Sequence, residues 1–368
     1  MVFAALLVLA AAGLIACGET VPPTEPKSSR VEVRAIYGGI PGEGVTRASL
    51  ADYGVNAVFV GSGRVTETRV NWVRDQGAKI YAEFNTLHRA NYLEEHPDAA
   101  PIGLDGKVSP PPHGWQGICP THPGYRAERM QAFGNLLRDF QLDGIWLDYH
   151  HSHASWEREV PDMPYTCFCQ RCLQKFAADT SIQLPGTSEE AAELIVSEHE
   201  RQWTQWRCDL FTDWVKEFRT ILDEERPGAL LGTFHNPWSD AEFDGARLKK
   251  LAIDLKAQSA YIDVFSPMPY HARFGHSDDL DWIEERTSWL GDYLGIQGRS
   301  EEKIKIWPIV QLSDWGETVS ETEVSQIIEY GTRPPATGVI VFAWGSLKEQ
   351  PAKLNELWRV FRKLAGLS

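Results

Sequence analysis

The chain contains eight short apolar segments rich in β-branched or aromatic residues, each followed by a segment with helical periodicity. The apolar segments are 31–39, 56–63, 78–85, 143–150, 229–236, 262–270, 305–311 and 338–345, and the helical segments are 46–54, 65–76, 124–140, 196–225, 246–260, 279–294, 321–331 and 351–365. No hairpin turn joins two apolar segments, so crossover helices must connect the strands. Eight such units predict a closed parallel (β/α)8 barrel, a TIM barrel, formed by a single domain over residues 31–368.

Two connections in this pattern are much longer than a strand-to-helix loop requires. They are residues 86–123, after the third strand, and residues 151–195, after the fourth. Both follow the carboxyl ends of strands, where barrels of this kind carry their functional groups. We therefore expect the two loops to build a binding cleft on one face of the barrel.

The fourth apolar segment, DGIWLDYH, ends in polar residues instead of continuing as a buried strand. Because strand side chains alternate, we expect Trp146, Asp148 and His150 to point into the barrel and the residues between them to face the helices. A buried carboxylate is costly unless it is hydrogen-bonded or used in chemistry. Asp148 is therefore either a structural residue bonded to neighbouring strand ends or a catalytic one.

Polar and aromatic residues also end the other strands, which raises the odds that the barrel mouth is a site. The candidates for catalysis are Asp148, Glu83 and Asp314, and the candidates for substrate binding are Asn85, Trp146, His150, His151, His235, Asn236, Tyr270, Gln311, Trp315 and Trp344.

Three of these strand ends carry a resemblance to known families. DGIWLDYH resembles the fourth-strand signature of family-18 chitinases and, more closely, of the bacterial hypothetical glycosyl hydrolase families, and SPMPY and FAWG resemble other strands of the same group. The resemblance implies a glycosidase barrel in which Asp148 is a catalytic carboxylate and Tyr270 and Trp344 contact substrate. Where chitinases have a proton-donating Glu two residues after this Asp, the chain has His150.

Hydrolysis of a glycosidic bond requires two carboxyl groups, one protonated and one ionised. Asp148 is the first candidate. Glu83 is the preferred second, because it falls at an inward position on the adjacent third strand, and Asp314 is the next. The expected function is therefore a glycoside hydrolase that acts on a poly- or oligosaccharide.

Two other functions remain open at this stage. A carbohydrate-binding barrel without catalysis would explain why glutamates typical of these families are missing. A metal-dependent hydrolase such as a deacetylase is suggested by His150, His151 and His153, although the first strand lacks the His-x-His of barrel amidohydrolases.

Four cysteines have spacing typical of a metal site. The CFCQRC segment contains Cys167, Cys169 and Cys172, and Cys119 precedes it on the other long loop. The set resembles the zinc site of family-42 β-galactosidases, which implies a structural Zn²⁺ ion; thiolates bind Zn²⁺ tetrahedrally. A pair of disulfides is the alternative. We expect no organic cofactor, and Cys208 is expected to be a buried thiol.

The charge and aromatic content indicate the kind of partner. The chain has 51 acidic and 36 basic residues, a net charge of −15, and no Lys/Arg stripe, which argues against binding to nucleic acid. Fourteen Trp and eleven Tyr provide flat rings on which sugars can stack. Both features fit a carbohydrate partner.

The N-terminus, MVFAALLVLAAAGLIACGET, has an apolar run typical of an export signal. Its end, LIAC, resembles the bacterial lipobox, which implies a signal peptide over residues 1–17, cleavage before Cys17 and lipidation of its sulfur. Residues 18–30 are rich in Pro, Ser and Glu and are expected to form a flexible tether. The expected location is the cell envelope, with membrane anchoring through the lipid.

If Cys17 carries the lipid, a Cys17→Ala variant should leave the membrane fraction, because its anchor is lost while the folded domain is unchanged. Fractionation of cells that express either form measures this. Continued retention of the variant in the membrane would favour an uncleaved apolar anchor instead.

Overall fold

The structure, a computed structural model, describes residues 1, 31–43 and 49–367. The predicted signal peptide, the lipidation of Cys17 and the tether over 18–30 lie outside these residues, apart from Met1. Among the described residues, none of the helices combines the length and the hydrophobicity of a transmembrane span.

All nine strand segments are parallel, and they form one sheet in the order β7-β6-β5-β4-β3-β2-β1-β9-β8. The segments are β1 Val33–Tyr37, β2 Ala57–Gly61, β3 Lys79–Asn85, β4 Gly144–Asp148, β5 Leu230–His235, β6 Val264–Pro267, β7 Lys305–Ile306, β8 Ile309–Gln311 and β9 Gly338–Phe342. Segments β7 and β8 are two parts of one strand, interrupted at Trp307 and Pro308. Because β7 pairs with β6 and β8 pairs with β9, this strand closes the barrel.

The predicted (β/α)8 barrel is therefore confirmed. Pro308 explains the interruption of the seventh strand, since proline has no N–H to donate to the ladder. The backbone still pairs across the break: Trp307 N–H donates to Phe265 O at 3.0 Å, and Ile340 N–H donates to Pro308 O at 2.9 Å.

The helices follow the predicted pattern with three differences. They are α1 Glu67–Asp75, α2 Tyr92–Glu95, α3 Pro123–Asp139, α4 Gln170–Thr180, α5 Ser188–Glu198, α6 Glu200–Glu225, α7 Ala246–Lys249, α8 Leu255–Gln258, α9 Trp282–Leu294, α10 Val324–Gly331, α11 Trp344–Leu347 and α12 Pro351–Leu364, with single 3₁₀ turns at Ala51–Tyr53, Ser62–Arg64, Pro97–Ala99, Pro112–Gly114 and Glu242–Asp244.

The first difference is at 46–54, where the described residues form only the Ala51–Tyr53 turn. The second is that the predicted helix 246–260 is two short helices, α7 and α8. Ala252 between them is left-handed, with φ of 59°, and the Asp254 side chain accepts from Ala257 N–H to start α8. The third is that the long loops contain helices of their own: α2 in 86–123, and α4 and most of α5 in 151–195.

Large aromatic rings fill the middle of the barrel. Trp146 on β4 stacks on Trp307, with ring centroids 5.5 Å apart, and meets Phe59 and Tyr81 at 4.8 Å each. Its indole N–H donates to Ser266 Oγ at 3.0 Å, so the buried polar atom is satisfied. Trp146 thus points inward, as predicted, but it lies in the packed core beneath the mouth.

Gly232 on β5 makes room for this indole. A Cβ atom at Gly232 would lie 2.1 Å from Cε2 of Trp146, a distance at which either the ring or the strand would have to move. The packing of the barrel interior therefore depends on the large Trp146 side chain on β4 and on a glycine, Gly232, beside it on β5.

We expect a Gly232→Val variant to lower the free energy of unfolding by at least about 1–3 kcal/mol, the range for overpacked cores. Denaturant unfolding of both proteins measures the loss. Gly186→Ala is the matched control, since a Cβ there meets no atom within 4 Å. Equal stability of Gly232→Val and wild type would contradict this packing.

Candidate active site

A cleft of about 330 Å³ lies at the carboxyl end of the barrel strands. Its lining combines carboxyl groups and aromatic rings, which are the two features that sugar-cleaving sites use. The lining residues are Tyr37, Gly38, Arg64, Trp115, Asp148, Tyr149, Glu157, Phe234, Met268, Tyr270, Ile309, Trp315, Phe342, Ala343 and Gly345.

Asp148, the last residue of β4, lies in this cleft and is 7% exposed. The backbone N–H of Tyr149 donates to its Oδ1 at 2.8 Å. Burial raises the pKa of Asp148 well above its usual range, and the negative charges of Glu83 and Glu157 raise it further. The carboxyl group of Asp148 therefore holds its proton to a higher pH than an exposed aspartate does.

Glu83 on β3 is the partner of Asp148. The two carboxyl groups lie within hydrogen-bonding reach of each other, and the Tyr37 hydroxyl donates to Glu83 Oε2 at 2.7 Å. Burial raises the pKa of Glu83, whereas the bond from Tyr37 and the charge of Arg64 oppose that rise. Two carboxylates this close do not both ionise, so the pair holds one proton on the Asp148 side and one negative charge.

Glu157 is a third carboxyl group in the cleft, and the sequence analysis missed it. Burial raises its pKa to about 7, with Arg273 opposing the rise and Glu83 adding to it. Glu157 is the first carboxyl residue after Asp148 and lies on the predicted cleft loop 151–195, which is the signal that could have identified it. A group with this pKa can hold or release a proton near neutral pH.

The strand alternation assumed after Asp148 is wrong. Tyr149 has a left-handed backbone, with φ of 51°, so its ring turns into the cleft and stacks on Trp115 at a centroid distance of 5.2 Å. His150 consequently points away from the barrel, and its Nε2 bonds Phe211 O on α6 at 2.9 Å. A left-handed residue that is not glycine is strained, a feature common at functional sites.

Two of the predicted aromatic contacts, Tyr270 and Trp315, line the cleft, and their rings meet edge to face at 6.0 Å. Arg273 lies over the Trp315 ring at 4.5 Å. Trp344 lies outside the cleft, in a groove beside it that shares Gly38, Arg64 and Gly345 with the cleft.

Asp314 does not reach the cleft. Lys353 on α12 donates to its Oδ1 at 2.8 Å, and Gln350 donates to its Oδ2 at 3.1 Å. Although burial alone would raise the pKa of Asp314, the bond from Lys353 lowers it, so the group stays ionised. Asp314 therefore ties the seventh strand to the last helix, and of the two predicted partners only Glu83 lies beside Asp148.

Two of the three predicted amide ligands, Gln311 and Asn85, bond other groups of the protein. Gln311 accepts from Arg273 N–H at 3.0 Å and donates to Ser313 O at 3.1 Å. Asn85 bonds the backbone N–H and carbonyl of His88. Asn236 is fully buried. None of the three lines the cleft.

The buried histidines also lie apart from the cleft lining. His151 accepts from Trp156 Nε1 at 2.9 Å, His153 accepts from Gly117 N–H at 2.9 Å, and His235 bonds Asn236 O at 2.7 Å. Burial lowers the pKa of His151 to about 4 and that of His235 to about 3, so both rings are neutral. Because His150, His151 and His153 bond different neighbours, they do not converge as a metal site, and the geometry does not support the metal-dependent hydrolase.

The four predicted cysteine ligands come together at the base of the long loops. Their sulfur atoms all lie within 4.8 Å of one another, and all four side chains are buried and free of disulfides. Cys119 Sγ lies 3.5 Å from Cys169 Sγ and 3.6 Å from Cys172 Sγ. Four sulfurs at 2.3 Å from one zinc ion would be about 3.8 Å apart, so the cluster fits a tetrahedral ion.

The surroundings of the cluster complete this fit. Ile102 N–H donates to Cys167 Sγ at 3.3 Å, and the Thr121 hydroxyl lies 3.2 Å from two of the sulfurs. The cysteines pack with Phe168, Phe176 and Trp203 in a small second core formed by α4, α5 and the start of α6. Cys208, by contrast, is a lone buried thiol on α6, as expected.

No family model and no curated protein matches the chain. Solved structures match the fold. The glycoside hydrolase domain of PgaB (BpsB) from Bordetella bronchiseptica is 12% identical, with a TM-score of 0.66 over 89% of this chain and 98% of that one. A β-galactosidase from the haloarchaeon Halorubrum lacusprofundi is 13% identical, with a TM-score of 0.63 over 91% of this chain and 58% of that one.

A catalytic mutant of Gan42B, a GH42 β-galactosidase from G. stearothermophilus, is 14% identical, with a TM-score of 0.56 over 92% of this chain and 57% of that one. The chain thus spans a little under three-fifths of the two β-galactosidases. At these identities the similarity establishes the fold, which is the barrel of glycoside hydrolases.

Proposed function

We propose that the protein is a glycoside hydrolase whose reaction takes place in the cleft above β4. The observation that carries the proposal is that Asp148 and Glu157 line an aromatic-walled cleft, that Glu83 lies beside Asp148 and is bonded by the lining residue Tyr37, and that burial raises the pKa of all three carboxyl groups. Perturbed carboxyl groups in a cleft are a recognised mark of acid–base catalysis. The barrel glycoside hydrolases of similar fold support this proposal.

Glu157 is proposed as the general acid. It lies on the loop at the cleft wall and is partly exposed, so it can regain its proton from solvent after each turnover. In the reaction Glu157 gives its proton to the glycosidic oxygen as the bond from that oxygen to the anomeric carbon breaks. A pKa of about 7 keeps the group protonated at mildly acidic pH.

The pair of Asp148 and Glu83 is proposed as the anionic side of the site. Its one negative charge stabilises the positive charge that develops on the anomeric carbon. A water molecule then attacks that carbon through its oxygen and gives one proton to the anionic pair, which releases it to solvent as Glu157 regains a proton. Tyr37 and the Tyr149 N–H hold the two carboxyl groups in place.

The aromatic walls are proposed to hold the sugar. Trp115, Tyr149 and Trp315 line the cleft on different loops, and Trp115 is 37% exposed at the mouth. Flat rings pack against the C–H faces of sugars, which buries apolar surface without breaking hydroxyl hydrogen bonds.

The variants Asp148→Asn and Glu157→Gln should each lower kcat/KM by at least about 100-fold, because each removes a proton-transfer or charge-stabilising group while keeping its shape. Hydrolysis of a panel of α- and β-linked oligosaccharides measures this. Glu159→Gln, an exposed residue on the same loop, is the matched control and should keep full activity.

The wild-type kcat/KM should also fall as pH rises above about 7, because Glu157 then loses the proton it must donate. That decline should be absent in the residual activity of Glu157→Gln. An active wild type with an equally active Asp148→Asn variant would overturn the assignment, and a protein that binds glycans without cleaving any would favour the non-catalytic barrel.

We further propose that Cys119, Cys167, Cys169 and Cys172 bind one structural zinc ion. Four protein ligands leave no open position for substrate, so the ion would hold the two cleft loops together instead of taking part in the reaction. The spacing of the sulfurs and their burial support this assignment.

Metal analysis of purified protein should find about one zinc per chain, and Cys119→Ser should lower that content. Cys208→Ser should leave it unchanged, because this thiol lies outside the cluster. Loss of zinc should also lower the melting temperature, since metal binding contributes to folding. A zinc-free wild type with all four thiols reactive would contradict the proposal.

A further inference from the structure

A second groove adjoins the proposed active-site cleft. It has a volume of about 230 Å³ and shares Gly38, Arg64 and Gly345 with the cleft. A substrate long enough to leave the cleft on this side would therefore enter the groove directly. Its other lining residues are Gly39, Ile40, Glu43, Val60, Gly61, Arg69, Trp344 and Lys348.

The groove is basic, although the chain as a whole has a net charge of −15. Arg64, Arg69 and Lys348 line it, against one acidic lining residue, Glu43, and Lys348 Nζ also lies 3.8 Å from Glu349 Oε1. Arg69 is paired with that residue, its Nε donating to Glu43 Oε1 at 2.6 Å. At physiological salt, charges more than about 8 Å away are largely screened, so the nearby cations determine what binds here.

Arg64 is the residue of interest. It lies in the short turn after β2, on the border between the cleft and the groove. Its guanidinium group makes no ion pair within 4.0 Å and no hydrogen bond to any residue within 31–43 and 49–367, although its charge lowers the pKa of Glu83 from a distance and its backbone carbonyl accepts from Arg69. An exposed guanidinium group at such a border is available to a ligand, and its planar fork matches a carboxylate.

Trp344 provides the apolar wall of the same groove. A Cβ on Gly39 would lie 2.4 Å from Cδ1 of Trp344, so the indole lies directly against this glycine's backbone. Trp344 is partly exposed, and its ring lies near that of Trp358, at a centroid distance of 6.3 Å. An aromatic ring beside cations suits a sugar ring that carries a negative charge.

We propose that this groove is a subsite for an acidic sugar, one with a carboxylate on its ring, next to the sugar that is cleaved. The inference rests on the proposed hydrolase for the position of the cleaved bond. The Arg64 guanidinium would bind the carboxylate, Lys348 would add a second positive charge, and Trp344 would pack against the ring. The substrate class is therefore a glycan that contains uronic acid units.

The test uses a binding panel of tetrasaccharides containing glucuronate, galacturonate, mannuronate or guluronate, each paired with its carboxyl-reduced neutral counterpart. Titration calorimetry with the Asp148→Asn variant prevents turnover during the measurement. At least one acidic tetrasaccharide should bind about 10-fold or more tightly than its neutral counterpart, the factor expected for one charged hydrogen bond. Higher salt should reduce that preference.

Variants of the groove identify the source of the preference. In the Asp148→Asn background, Arg64→Gln should reduce it about 10-fold, and Lys348→Gln should reduce it a few-fold. Arg74→Gln is the matched control, because Arg74 bonds Gln141 O at the opposite end of the barrel and should leave the preference unchanged. Sulfated neutral-sugar tetrasaccharides in the same assay distinguish a carboxylate site from a general anion site.

Equal affinity for acidic and neutral members of every pair, or a preference that Arg64→Gln does not change, would overturn the subsite. Tighter binding of the sulfated sugars than of the uronates would overturn the assignment to a carboxylate. Failure of the hydrolase is a separate result: a charge preference without hydrolysis by wild type removes the catalytic proposal and keeps the subsite. Hydrolysis of neutral glycans without a charge preference would remove the subsite and keep the catalytic proposal.

Discussion

The stack of Trp146 on Trp307 inside the barrel is the interaction on which the rest of the structure depends. These rings, with Phe59 and Tyr81, fill the space that eight tilted strands enclose, and Gly232 leaves the room that the larger indole requires. A dry aromatic layer of this kind excludes water from below the strand ends. Carboxyl groups placed directly above it are poorly solvated, and their pKa values rise for that reason.

The raised pKa values decide which carboxyl groups of the cleft can hold or transfer a proton. Asp148 and Glu83 share one proton because they are buried together, whereas Glu157 sits at the wall with a pKa of about 7. The proposed hydrolysis would use the pair as its fixed negative charge and Glu157 as the group that exchanges a proton near neutral pH. The cysteine cluster contributes at a distance, because it joins the loop that carries Trp115 to the loop that carries Glu157.

Much of the fold followed from local pattern. Eight apolar segments and their helices predicted the barrel, and CFCQRC with Cys119 predicted a cluster that the structure brings within 4.8 Å. The candidate site was predicted less completely. Asp148 and Glu83 face each other as expected, and Tyr270 and Trp315 line the cleft. The predicted alternation of side chains was wrong after Asp148. Because the backbone of Tyr149 is left-handed, Tyr149 faces the cleft and His150 faces the helices, the reverse of the prediction.

The sequence by itself determined the barrel, the position of Asp148 at the end of the fourth strand and the metal-type spacing of the cysteines, because these depend on the period of apolar residues and on short-range spacing. Only the tertiary structure decided which polar strand ends face the cleft. Lys353, 39 residues later in the chain, bonds Asp314 outside the cleft, and the backbone N–H of Arg273 bonds the Gln311 side chain. Glu157 and Arg64 line the cleft from loops whose paths depend on packing against the whole barrel. A local sequence pattern does not predict such contacts.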